Sequence, residues 1–249
     1  MIVRVDDSNL AEYEEFIKKH PKGLFQHSSK WAKVKSAWKW EAVMLKDNSG
    51  KILGSAAVLI RFVPVIKYSL FYVCRGFVAD ENDFDTFDKL FDGLLELAKE
   101  YKAYCIKIDP EIVIQNKAYK KHLIEKGFKE LNPGCMDFEN VQPRFVYCFD
   151  YNHLSEDELM LTFKADYRNR IRKAPKKGVE VKIMGNEALD DFVRIMQETG
   201  DRDGFSTRPK AYFEQILNCM GEDARLYMAY YNGQAIAGTI AIKWGKNVM

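Results

Sequence analysis

Arg208 and Tyr212 stand four residues apart, the spacing that sets two side chains on one face of a helix. Pro209 between them is suited to open that helix, and a helix N-terminus favours phosphate. An arginine fork grips phosphate oxygens at two points, whereas lysine acts as a point charge. The pair therefore reads either as a phosphate grip or as a capping arginine beside a surface tyrosine. Asp109 begins Asp109-Pro110-Glu111 directly after Ala103 to Ile108, a run that reads as a buried strand. Open α/β sheets gather their sites at the C-terminal ends of strands, and a carboxylate there can accept a proton. The plainer reading is an aspartate that caps the turn ahead of Glu111. The most basic stretch holds Lys164, Arg168, Arg170, Arg172, Lys173, Lys176 and Lys177 around a single acid, Asp166. With a helix from Tyr167 to Lys173, ended by Pro175, these cations spread around much of the surface. Such density suits nucleic-acid phosphates through counterion release, or is a solvated face.

Other chemistries find no residues to carry them. His20, His27, His122 and His153 are scattered, with neither an HExxH pair nor a cysteine at ligand spacing, so no metal is expected. Neither a GxSxG elbow nor a Walker loop occurs. The nearest approach to an acyl-CoA pyrophosphate loop is Lys51 to Ala56. It lies inside a hairpin with a strand after it, the wrong context for phosphate.

The elements that must position these residues are organised by a repeat. Leu226 to Lys243 and Ala42 to Ile60 both read as apolar run, polar turn, apolar run, with Asn232-Gly233 and Asn48-Ser49-Gly50 supplying the turns. Each is a hairpin preceded by two helical segments, which at this long spacing implies two related domains rather than a solenoid. Function is then expected between the copies. The 249 residues, 47% hydrophobic and 30% charged, suffice for two ordinary cores. A net charge of +2 gives no global attraction to nucleic acid, so any basic surface is local. Five cysteines without paired short spacing argue against disulfides and fit a reducing cytoplasm. The N-terminus reaches acidic residues before any apolar core and is not expected to be a signal peptide. Ile52 to Cys74 is broken by Arg61, Pro64 and Lys67, and reads as strands rather than a membrane span.

In the first domain, residues 1–146, Ser8 is expected to cap a helix to about Lys19, and a second helix to start near Ser29. The hairpin, a strand from Tyr68 to Val73, a helix from Phe84 to Tyr101, the strand Ala103 to Ile108, a helix from Lys117 to Lys126 and closing strands after Gly127 complete it. Helix, helix, three strands, helix, strand, helix, strand is the order of the GNAT-like (acyl-CoA N-acyltransferase-like) α/β fold. The second domain, residues 147–249, is expected to repeat it: Ser155 starts a helix, another runs from Asn186 to Thr199, and the repeated hairpin comes last. The remaining strand, helix and strand do not follow. The second copy is expected to be incomplete, as in a fragment of a longer chain.

Five stretches together resemble the FemABX family of peptidoglycan-bridge aminoacyltransferases. They are Trp31-Ala32-Lys33-Val34-Lys35, Asp109-Pro110-Glu111, Gln142-Pro143-Arg144, Gly178-Val179-Glu180-Val181 and Arg208-Pro209-Lys210-Ala211-Tyr212-Phe213. They stand in family order over nearly the whole chain, and their ordered set carries more than any one of them. The likeness is to the FemX type, without a coiled-coil arm. It implies tandem GNAT-like domains that move an amino acid from aminoacyl-tRNA to the stem-peptide amine of UDP-MurNAc-pentapeptide or lipid II. It places Lys35, Arg208 and Tyr212 on diphosphate-binding positions and Tyr104 on another substrate-binding position. Asp109 would position the acceptor amine and, secondarily, act as its base. Lys164, Arg168, Arg170, Arg172 and Lys173 would meet tRNA. The family's catalytic lysine falls beyond the last hairpin. No cofactor is implied; a cytoplasmic monomer is expected, with peripheral membrane contact if the acceptor is lipid-linked. Two other readings are an acyl-CoA-dependent N-acetyltransferase and a non-catalytic module that binds precursor or tRNA.

Overall fold

The computed structural model describes residues 1–65, 67–131, 142–143, 145–151 and 153–249. The chain divides into two compact units, Met1–Val146 and Tyr147–Met249. Within the first, β1 (Ile2–Arg4), β2 (Lys39–Lys46), β3 (Ile52–Phe62), β4 (Ser69–Val73) and β5 (Ala103–Ile108) form a sheet in that order. All neighbours are antiparallel except β4 and β5, which run parallel. Parallel neighbours need a crossover, and it is α3 (Phe84–Glu100).

The pleat explains why β2 is buried on both sides. Val43 and Leu45 face Leu90, Leu94 and Leu97 of α3 in the main core, together with Val58, Ile60, Phe71 and Val73. The alternate residues Ala42 and Met44, also buried, point to the opposite face. There Tyr13 of α1 (Leu10–Lys19) meets Trp40 edge to face, at 5.7 Å between ring centroids. Each fully buried leucine of α3 contributes about 1.5–3 kcal/mol by leaving water. The same helix begins where the Asp83 carboxylate accepts from the Thr86 amide. α2 (Ser29–Val34) and α4 (Lys117–Glu125) complete the helices of this unit among the described residues.

The second unit opens with α5 (Glu156–Thr162) and α6 (Ala165–Lys176), neither of which buries a residue. Then β6 (Val179–Met184), α7 (Leu189–Asp203), α8 (Lys210–Met220), β7 (Ala224–Tyr231), β8 (Gln234–Trp244) and β9 (Asn247–Val248) follow. The sheet order is β6-β7-β8-β9, antiparallel throughout. Strand, two helices and three antiparallel strands thus occur in both units. The core between helices and sheet holds Leu189, Phe192, Phe213, Met220, Leu226 and Met228.

Several local expectations are corrected. Asn9, not Ser8, precedes α1, because the Ser8 amide and hydroxyl are both spent on the Asp6 carboxylate. Of the first hairpin's turn residues only Gly50 has positive φ, while the Asp47 carboxylate holds the loop by accepting from the Ser49 and Lys51 amides. In the second hairpin Asn232 and Gly233 are both left-handed, as a two-residue turn requires. Pro175 does not stop α6 but sits inside its final turn, which the Lys177 amide closes onto Lys173 and Ala174 carbonyls. β5 is not a buried strand: Ile106 and Ile108 pack on the core while Tyr104 and Cys105 are exposed. β1, β6 and β9 are additional to the elements expected, and β9 supplies a strand after the second hairpin, where none was expected to follow. The closing strands anticipated after Gly127 fall largely on residues outside those described.

Candidate functional site

Tyr72 and Cys74 leave β4 on the face opposite the α3 core, where they pack with Leu59, Trp38 and Trp40. In the parallel register Tyr72 lies opposite Lys107, and its ring reaches past that residue to the strand end. Its hydroxyl donates to Asp109 Oδ2 at 2.6 Å. The other carboxylate oxygen, Oδ1, accepts from the Arg75 backbone amide at 2.6 Å. Arg75 has φ +58° and Gly76 φ +79°, so the chain turns sharply as it leaves the strand. A side chain on Gly76 would come within 2.9 Å of Pro110 Cα, and glycine alone permits that approach.

The surroundings are tightly coupled. The Arg75 guanidinium donates to Gln142 Oε1 at 3.3 Å, and Gln142 Nε2 faces Cys74 Sγ at 3.7 Å. Burial raises the Asp109 carboxyl above its ordinary value, against the Tyr72 and Arg75 hydrogen bonds and the Arg75 and Lys107 charges, which lower it. Burial likewise raises Tyr72, and pushes the Cys74 thiol up to about 12, with Asp109 adding to it. Cys74 is thus a neutral thiol, and not a nucleophile.

Lys35 is the residue at the C-terminal cap of α2, with Nζ 4.9 Å from the Trp31 ring centroid. Its charge opposes the rise at Cys74. Tyr104 is not part of the Tyr72–Asp109 group. It is 60% exposed and falls at the register shift where Ala103 pairs Ser69 and Cys105 pairs Leu70, so a bulge releases it from strand alternation. Five extended residues separate it from Asp109 by roughly 16 Å.

In the second unit Pro209 is the N-cap of α8, and Arg208 precedes the helix rather than lying on it. The two candidate side chains still meet: the Arg208 guanidinium carbon lies 5.5 Å over the Tyr212 ring, within cation–π range. Tyr212 is held by its backbone bond to the Pro209 carbonyl and by contact with Phe213, whose ring is locked against Phe192 in the core. The cations of α6 are unequal. Arg168 donates to the Leu161 and Phe163 carbonyls and so closes α5. Arg170 pairs with Asp166 at 2.7 Å, both highly exposed. Lys164 is the α6 N-cap residue, and Arg172 and Lys173 are exposed.

Among the described residues no group of three or more histidine, cysteine or acidic side chains could hold a metal, and no helix is long and apolar enough to cross a membrane. Sequence reasoning missed Tyr72, Cys74 and Arg75. The signal available was parity: Tyr72 and Cys74 share a face in any strand ending there. Gln142 was noticed only as part of a motif whose Arg144 lies outside the described residues.

Comparison with known proteins bears on the whole chain. The FemAB family profile matches residues 9–247. A lipid II:glycine glycyltransferase of Staphylococcus epidermidis is 34% identical over 236 residues, covering 92% of this chain and 56% of that protein. One of Staphylococcus aureus is 36% identical over 222 residues, covering 85% and 51%. The crystal structure of FemX superposes with a TM-score of 0.76 at 31% identity, over 91% of this chain and 57% of that one. The chain therefore spans about half the length of the curated relatives it matches. With the family profile matched from the first helix to the last strand, and a FemX structure sharing the architecture, this chain belongs to the FemAB family.

Proposed function

We propose that this chain serves the transfer of an amino acid from aminoacyl-tRNA to the stem-peptide amine of a peptidoglycan precursor, UDP-MurNAc-pentapeptide or lipid II, in building the interpeptide bridge. The observation that carries the proposal is the Asp109 carboxylate, held at the end of β5 by the Tyr72 hydroxyl and the Arg75 amide, in a chain similar to proteins named lipid II:glycine glycyltransferases.

In that role Asp109 accepts a hydrogen bond from the acceptor amine and takes its proton as the amine attacks the ester carbonyl. An amide bond forms, the ester carbon–oxygen bond breaks, and the proton taken up by Asp109 passes to the departing 3′ oxygen of the tRNA, which leaves as the hydroxyl. An activated ester needs little further push, so proximity and orientation supply most of the rate. Lys35, Arg208 and Tyr212 bind the diphosphate, Tyr104 meets a part of the precursor remote from the reacting amine, and the cations of α6 meet tRNA. No cofactor enters, and the chain works as a cytoplasmic monomer, touching the membrane only where the acceptor is lipid-linked.

The test supplies UDP-MurNAc-pentapeptide or lipid II with a panel of charged tRNAs and follows amino-acid transfer, with precursor affinity measured in parallel. Affinity should fall about tenfold or more in Lys35→Ala and in Arg208→Ala, the size expected of a charge-assisted phosphate contact. Wild-type affinity in both, or transfer from acetyl-CoA in place of aminoacyl-tRNA, overturns the proposal.

A further inference from the structure

We infer that Tyr72 is a positioning residue for the transfer, aiming the Asp109 carboxylate at the acceptor amine together with the left-handed turn at Arg75. This rests on the reading of Asp109 given above and adds to it the groups that set its direction and its charge.

Packing fixes the Tyr72 ring. It is 6% exposed, lies in a cluster with Leu59 and Cys74, and meets Trp38 at 6.4 Å between centroids. A phenylalanine would fill the same space, so packing alone does not call for the hydroxyl. The hydroxyl points along the strand to Asp109 Oδ2. The Arg75 amide reaches Oδ1, and Arg75 itself adopts φ +58°, a conformation that is costly for a non-glycine residue and persists where its surroundings over-determine it. Here the surroundings do so from two sides. Gly76 lies against Pro110, and the Glu111 amide points back to the Arg75 carbonyl at 3.5 Å. Each carboxylate oxygen therefore has one donor, the plane of the group is set, and a lone pair on each oxygen stays available to a third donor.

The arrangement also governs charge. Burial opposes the carboxylate, and the two donors favour it. The titratable and charged groups around it are Tyr72 and Cys74 from β4, Arg75 from the turn, Lys107 from β5 and, through Cys74, Lys35 from α2. Tyr72 and Cys74 are both raised by burial and stay neutral at physiological pH. The Tyr72 hydroxyl is thus the adjustable donor: removing it leaves the packing and raises the pH at which Asp109 becomes protonated.

The experiment titrates the Asp109 side-chain carboxyl by carbon NMR in aspartate-labelled protein, assigned with Asp109→Asn. It follows UDP-MurNAc-pentapeptide binding over the same pH range. In Tyr72→Phe the Asp109 midpoint should rise by about one pH unit, the size of one charge-assisted hydrogen bond, and the acid-side loss of binding should move with it. Site-specific fluorotyrosine at position 72, a stronger donor, should move both the other way, and gives the answer if Tyr72→Phe does not fold. A midpoint that stays put in both variants, or moves against these directions, overturns the positioning role. Undiminished precursor affinity in Asp109→Asn instead overturns the reading of Asp109 itself, however Tyr72→Phe behaves.

Discussion

Burial raises the Asp109 carboxyl, and the Tyr72 and Arg75 hydrogen bonds and the Arg75 and Lys107 charges only partly offset that. A carboxyl raised in the folded state binds its proton more tightly there than when unfolded. Its contribution to stability is therefore fully present at low pH, and is lost as pH rises from the unfolded value through the folded one. Asp109→Asn removes the charge and keeps one acceptor oxygen, for the Arg75 amide, while its NH2 can donate to the Tyr72 hydroxyl oxygen, which then accepts. Urea unfolding at pH 7 should show it at least as stable as wild type, while precursor binding falls. A destabilised variant would mean the charge itself secures the strand end. His27 gives the opposite sign. Fully buried, with Nδ1 accepting from the Leu24 amide, it is pulled down from 6.5 to about 4 by burial. The unfolded chain takes up that proton first, so stability falls as pH drops from about 6.5 to about 4, by a total of about 3 kcal/mol. Replacement by glutamine, which preserves an acceptor near Leu24, should flatten that slope in unfolding curves taken across the window. At this scale the sequence was legible where polarity interrupts a pattern. Asp109 breaks an apolar run, and Arg208 and Tyr212 flank a proline. Tyr72 reads as one more core aromatic, because its partner lies 37 residues away and the sheet order alone brings them together.

Two parallel strands and the turns that leave them decide where the site lies. β4 and β5 end side by side, and the close approach of Gly76 to Pro110 joins their exits. In Gly76→Ala the new methyl would lie 2.8 Å from Pro110 Cβ with φ at +79°. Both the contact and the backbone conformation oppose it, so the variant should lose about 1–3 kcal/mol. The Asp109 loop should be displaced as well. Thermal unfolding and precursor affinity measured together check this; a variant that melts like wild type would show that the turn is free to relax. Most elements could be read because periodicity and punctuation agreed, as in α3 with its acidic cap and leucine face; α7, expected to end at Thr199, runs on through Gly200 to Asp203, where Gly204 closes it in the left-handed conformation. β1, at three residues, is too short to show a period. The exposure of β5 was hidden for a different reason. Its composition is that of a buried strand, and only the sheet order reveals that no described strand flanks its far edge.

Across the molecule charge is unevenly placed. The chain as a whole carries a net charge of +2, yet residues 164–177 alone hold seven lysines and arginines against one aspartate. The remainder is therefore net negative, and the densest run of positive charge lies on α6 and its ends. Composition showed this concentration but not how the cations are used. Arg168 is engaged with the carbonyls that close α5, and Arg170 with Asp166, so an approaching phosphate must compete for both. Arg172 and Lys173 lie exposed further along the helix, where a phosphate meets no such competition from these two acceptors. Each phosphate neutralised contributes about −0.7 to −0.9 to the slope of log affinity against log salt. With about four cations engaged, the slope for a tRNA acceptor stem should be near −3. Charge reversal at Arg172 and Lys173 together should flatten it by about two. Reversal at Arg168 should instead loosen the α5–α6 junction, visible as faster amide exchange in α5, with a smaller change in slope. Filter binding across a salt series separates these outcomes: a slope that the Arg172 and Lys173 reversals leave untouched would remove α6 from the tRNA path and return its charge to solvent.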